Sequence, residues 1–62
     1  MPQVVVRLLE GRTLEQKRML VEKVTQAVCE SVDVPAERVS IQIQHMPLDD
    51  FARAGKLVID EN

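Results

Sequence analysis

Apolar and polar residues alternate with two different periods along this chain, and the changes of period mark out its elements. Residues 3 to 9 split into Val4, Val6 and Leu8 on one face and Gln3, Val5, Arg7 and Leu9 on the other, the period-two signature of a strand. Apolar members in both sets predict that both faces are covered. Glu10-Gly11-Arg12 breaks the pattern. Thr13-Leu14-Glu15-Gln16 then has the spacing of a capping box, with Thr13 as N-cap and Gln16 reaching back, so a helix is predicted to start at Leu14. Leu20, Val24, Ala27, Val28 and Ser31 recur at helical spacing, a stripe widened by Val21 and Val32, while Glu15, Arg18, Glu22 and Gln26 lie away from it. Asp33-Val34-Pro35 ends the helix near Val32, because a residue before proline is pushed out of the helical region. Ala36-Glu37-Arg38 has room for one short helical turn.

A second strand is predicted over residues 39 to 46. Val39, Ile41, Ile43 and His45 form the face that should meet the helix, and Ser40, Gln42, Gln44 and Met46 form the other. Strand, helix and strand make a βαβ unit with parallel strands and a right-handed crossover, an α/β fold. Pro47-Leu48-Asp49-Asp50 reads as turn, and residues 51 to 59 as a short C-terminal hairpin or extension. Such a tail has little of its own chain left to pack on and is expected to cover a neighbouring subunit. Residues 1–62 are expected to form one domain.

Length sharpens that expectation. Sixty-two residues bury only about 60% of the surface of the unfolded chain, so the core needs a supplement. A single Cys29 cannot close an intramolecular disulfide, and Cys29 with a single His45 gives no metal-binding spacing. Oligomerisation remains. Phe51 is the one aromatic residue, which leaves no stacking platform for bases, and eight basic against ten acidic residues give a net charge of −2. Neither a nucleic acid nor an anionic membrane surface is an expected partner. No apolar run approaches the roughly 18 residues of a membrane helix, and the N-terminus lacks the regions of a signal peptide. A cytoplasmic location is expected.

Candidate chemistry begins at Pro2. Removal of Met1 turns Pro2 into a terminal secondary amine, a base and nucleophile that no internal residue can imitate, held in place by the strand that follows. The plainer role is an edge-strand start, where the missing amide proton costs nothing. Arg12 stands beside Gly11 just before a helix start, where a guanidinium and backbone donors can hold a carboxylate; otherwise it is a solvated turn arginine. Pro2 and Arg12 lie about 25 to 30 Å apart along the chain, so a site containing both requires two subunits. Phe51 suits an apolar wall or a subunit contact. His45 reads as a strand-end residue, and Cys29, opposite Leu20 on the helical wheel, as an exposed or interface thiol without a base to activate it.

These residues resemble the 4-oxalocrotonate tautomerases, also called 2-hydroxymuconate tautomerases. The resemblance spans nearly the whole chain: Met1-Pro2, Leu9-Glu10-Gly11-Arg12-Thr13 with Glu15-Gln16-Lys17, Pro35, the second strand ending in Met46, and Phe51. It implies a four-stranded sheet completed by dimerisation, and homohexamers built as trimers of dimers. It also implies a cofactor-free, metal-free isomerase in aromatic degradation. There the Pro2 amine shuttles a proton between the enol oxygen and a carbon of a small unsaturated 2-hydroxy or 2-oxo carboxylic acid such as 2-hydroxymuconate. An α-amino group ordinarily titrates at roughly 7.7 to 8; an apolar site and a nearby cation favour the neutral amine that a base needs. The resemblance gives that cation to Arg12, which holds a substrate carboxylate, and the apolar wall to Phe51.

One position departs from the family. Its best-studied members carry a second arginine in the second strand, acting on the substrate oxygen and adjacent carboxylate, where this chain has Ser40. A lost oxyanion donor costs on the order of 3 kcal/mol, or ~100-fold in rate. Arg38 or Arg53 can substitute, Arg53 being the better placed because it follows Phe51; otherwise both are surface arginines that need no function. Two other readings accommodate the departure. One is a hydratase or dehalogenase of an unsaturated acid on the same fold, with Asp49, Asp50 or Glu10 activating water; the other is a non-catalytic oligomeric scaffold.

Overall fold

The computed structural model describes residues 1–61; Asn62, the last residue of the expected 1–62 unit, lies outside them. Strand β1 (Gln3–Leu9) leads into helix α1 (Leu14–Val32), a 3-10 turn at Ala36–Arg38 and strand β2 (Ser40–Met46). A two-residue hairpin ladder, β3 (Ala52–Arg53) with β4 (Lys56–Leu57), and a 3-10 turn at Val58–Asp60 complete the order.

The helix starts where its cap dictates. Thr13 Oγ1 accepts from the Gln16 amide at 3.1 Å, and Gln16 Oε1 accepts from the Thr13 amide at 2.9 Å, which satisfies two donors that the first turn would otherwise leave unpaired. It stops at Asp33, whose left-handed backbone (φ 57°) lets its N–H donate to the Cys29 carbonyl.

Strands β1 and β2 pair in parallel from Gln3 opposite Ser40 to Leu9 opposite Met46. That register puts Val4, Val6 and Leu8 beside Ile41, Ile43 and His45 on one face. Val4, Val6, Leu8, Ile41 and Ile43 are half-buried there, whereas His45, at the end of the strand, is exposed. The helix presents Lys17, Leu20, Val21, Val24, Thr25, Val28 and Cys29 as its half-buried side. Three members of the expected stripe differ, since Ala27, Ser31 and Val32 are exposed. Ala27 flanks the buried sector. Leu14 and Val32 fall within it but overhang, because nineteen helical residues span about 28 Å and a seven-residue strand about 23 Å. Cys29 is half-buried rather than exposed.

The second strand begins at Ser40 rather than at residue 39, because the Val39 amide is taken by the Ala36 carbonyl of the 3-10 turn. On the sheet's other face Gln3, Val5, Arg7, Ser40 and Gln42 are exposed, so a single chain does not supply the expected cover for both faces of β1. Arg7 and Gln44, opposite one another in register, join there through Arg7 Nε to Gln44 Oε1 at 3.1 Å.

No side chain among the described residues is fully buried, and Val5, Met19, Leu57 and Ile59 stand exposed. The chain is long for its size. Its radius of gyration is 14.7 Å, against about 11 Å for a compact domain of this length. The C-terminal arm pairs with itself, Ala52 opposite Leu57 and Arg53 opposite Lys56.

Candidate active site

At the start of the sheet, the Pro2 carbonyl accepts from the Ser40 amide at 3.1 Å. This bond continues the β1–β2 ladder by one step, so Pro2 is part of the sheet's edge and half-buried, while Met1 ahead of it is 82% exposed. Ser40 thereby sits next to Pro2. Arg38 is exposed and lies in the 3-10 turn before the strand.

The opposite end of the sheet gathers the other candidates. The Glu10 amide donates to the Met46 carbonyl at 3.0 Å, extending the ladder past Leu9. Gly11 follows with φ +114°, a conformation that side-chain-bearing residues rarely adopt, and this turn delivers the exposed Arg12 just ahead of the Thr13 cap. From Met46 the chain turns through Pro47, whose carbonyl accepts from the Asp50 amide at 2.9 Å, and the Leu48 amide donates to Glu10 Oε1 at 2.9 Å.

Beyond that turn comes the hairpin. Ala54 and Gly55 link its strands with φ of +53° and +80°, the pair of positive angles that matches a tight hairpin to strand twist. Phe51 is half-buried and accepts at its carbonyl from the Val58 amide at 2.9 Å. The Arg53 guanidinium lies 6.0 Å from the centre of the Phe51 ring, within cation–π range.

The expected site residues therefore fall at two poles. Pro2 and Ser40 stand at the N-terminal end of the parallel strands; Arg12, Phe51 and Arg53 follow the C-terminal end. Seven strand residues separate the poles by about 23 Å. One chain does not bring Pro2 and Arg12 together. Two long-range side-chain contacts escaped the reading of the sequence, Glu10 with Leu48 and Arg7 with Gln44. The second follows from the parallel register, whereas the first depends on the path of the Pro47 turn.

A shallow concavity on the outer side of α1, lined by Glu15, Arg18, Met19, Glu22 and Lys23, contains none of these residues. Among the described residues no three His, Cys, Asp or Glu side chains converge as a metal site, and no helix is long and apolar enough to cross a membrane.

Comparison with known proteins decides the family. Residues 2–61 match the family model described as "Tautomerase enzyme". The chain belongs to the tautomerase family. The enzyme is accordingly an isomerase, 52% identical over 60 residues to a 2-hydroxymuconate tautomerase of Bacillus subtilis (strain 168), with 97% of each chain covered. It is 41% identical to the 2-hydroxymuconate tautomerase of Pseudomonas sp. (strain CF600), over 90% of this chain and 89% of that one. Among solved structures, YwhB, a homologue of 4-oxalocrotonate tautomerase, superposes with a TM-score of 0.93 at 49% identity, covering 98% of this tautomerase and 100% of that chain. A heterohexamer 4-oxalocrotonate tautomerase from Chloroflexus aurantiacus J-10-fl superposes at 0.93 with 29% identity and full coverage of both chains. The βαβ unit with its small extra strands is thus the tautomerase fold.

Proposed function

We propose that this tautomerase interconverts the enol and keto forms of a small unsaturated 2-hydroxy carboxylic acid such as 2-hydroxymuconate, without a cofactor, with Pro2 as the base and then the acid. The observation that carries the proposal is the fixed position of Pro2. Its carbonyl is held by Ser40 at 3.1 Å at the head of a strand, so its nitrogen has a defined place once Met1 is removed. While Met1 remains, that nitrogen is an amide and not a base.

In the proposed reaction the neutral Pro2 amine accepts the proton of the 2-hydroxyl. The O–H electron pair becomes the carbonyl π bond, the displaced π pair moves along the conjugated chain, and its terminal carbon takes the proton back from the prolinium. One O–H bond breaks and one C–H bond forms, with no redox change. Arg12 holds a substrate carboxylate, Phe51 walls the site, and Arg53 supplies the cation that Ser40 does not. Because Pro2 and Arg12 lie at opposite ends of β1, the site is completed by a second copy. Open sheet edges, the exposed second face and the unpacked arm all support a homo-oligomer, with a sheet of four strands in the dimer and a trimer of dimers as the assembly. A role in aromatic degradation in the cytoplasm follows from the same substrate class.

Ultraviolet-monitored loss of 2-hydroxymuconate tests the proposal, using protein whose intact mass confirms removal of Met1. Pro2→Ala is expected to slow ketonisation by about 100-fold or more, the usual contribution of a positioned base. A variant as fast as its parent removes Pro2 from the chemistry.

A further inference from the structure

The C-terminal arm makes its hydrogen bonds almost entirely with itself. Asp50 donates to Pro47, Val58 to Phe51, Ile59 to Leu48 and Glu61 to Val58. Among the described residues, one hydrogen bond joins the arm to the βαβ unit: the Leu48 amide to Glu10 Oε1 at 2.9 Å, across 38 positions of sequence. The acceptor is itself anchored, since the Glu10 amide donates to the Met46 carbonyl at 3.0 Å. Glu10 therefore spans the exit from both parallel strands, with its backbone on the last residue of β2 and its carboxylate on the second residue of the turn that follows.

We propose that Glu10 is a positioning residue that fixes the direction in which the arm leaves the sheet, and thereby the placement of Phe51 and Arg53 against the substrate. The second half of that statement rests on the proposed function, in which Phe51 and Arg53 meet substrate. Without the Glu10 acceptor, the arm is joined to β2 only through the backbone at Pro47 and swings about it. A carboxylate suits the task because a charged acceptor makes the stronger hydrogen bond. Its exposure to water leaves the bond weak enough that the arm is oriented rather than locked.

Three substitutions separate positioning from acid–base chemistry. Glu10→Ala removes the acceptor; Glu10→Gln keeps an Oε1 acceptor but cannot take up a proton at neutral pH; Glu10→Asp keeps the charge but shortens the reach by one methylene. Each is compared with the parent, free of Met1, for Leu48 amide exchange and for kcat and KM on 2-hydroxymuconate. In Glu10→Ala the Leu48 amide is expected to exchange about 10-fold faster, the loss of one hydrogen bond to a charged group. The ratio kcat/KM should fall about 10-fold, through KM and kcat together, because Phe51 and Arg53 are displaced from the substrate rather than removed. Glu10→Gln restores most of both, and Glu10→Asp shifts both in the direction of Glu10→Ala, which keeps the test decisive if the alanine variant does not assemble.

Unchanged Leu48 exchange in both Glu10→Ala and Glu10→Asp overturns the clamp. A freed Leu48 amide with unchanged kcat/KM overturns its service to the site, and a Glu10→Gln as impaired in kcat as Glu10→Ala assigns Glu10 to the chemistry instead. Parent turnover no faster than that of Pro2→Ala refutes the proposed base, and with it the role of the clamp at that site; Leu48 exchange still decides the clamp itself.

Discussion

In the proposed site, Arg53 stands in for the charge that Ser40 lacks. Its guanidinium carbon lies 6.0 Å from the Phe51 ring centre, so the wall that excludes water also carries a positive charge. The planar guanidinium can offer a carboxylate two parallel donors. With Arg12 on the far carboxylate, Arg53 would take the 2-oxygen and the carboxylate beside it. Arg53→Ala is therefore expected to lower kcat/KM for the dicarboxylate 2-hydroxymuconate by about 100-fold, the loss of an oxyanion donor. For a 2-hydroxy dienoate bearing a single carboxylate, beside the hydroxyl, the fall should be of similar size, since the lost contact keeps its partner there. Steady-state kinetics on the two substrates check this; a fall confined to the dicarboxylate would move Arg53 to the far carboxylate, and no fall on either would remove it from the site.

Among the elements, the helix start bears on both stability and the site, because Arg12 immediately precedes its cap. The reciprocal pair between Thr13 and Gln16, at 3.1 and 2.9 Å, fixes the chain direction as it leaves Arg12. Thr13→Ala is expected to cost about 1 kcal/mol, read as a lower urea midpoint at a fixed protomer concentration, since subunit association also enters the measured stability. Thr13→Ser, which keeps the hydroxyl, should retain most of that midpoint. Elements of this kind were legible in the sequence because their signals are local. The capping box, Asp33 before Val34-Pro35 and the two alternating strands gave the helix its observed bounds and the second strand its bounds to within one residue. The helix face was read less well: Ala27, Ser31 and Val32 were expected to pack but are exposed. Periodicity gives an angle around the axis, whereas cover also depends on how far the sheet extends beneath. The Glu10–Leu48 contact was not legible at all, because two separate turns have to bring its partners together.

At the scale of the whole molecule, the separation of Pro2 from Arg12 is the decisive fact. A strand of seven residues holds them about 23 Å apart, beyond the reach of an arginine side chain, and their motifs are complete at both ends. The motifs were legible from residue spacing; the single chain cannot show which copy supplies which pole, because symmetry and not sequence distance sets that. The proposed shared site predicts complementation. Pro2→Ala and Arg12→Ala homo-oligomers should each be nearly inactive on 2-hydroxymuconate. After the two are unfolded together in equal amounts and reassembled, a site drawing Pro2 from one subunit and Arg12 from another is intact whenever each donor is the unmutated one. Random assembly gives that in about a quarter of sites, so about 25% of parent activity should return. If one subunit supplied both residues, every site would keep one lesion and mixing would restore nothing. Reassembled oligomers of parental mass with no recovered rate would therefore reject the shared site, whereas recovery near a quarter would assign the two poles of one chain to two different active sites.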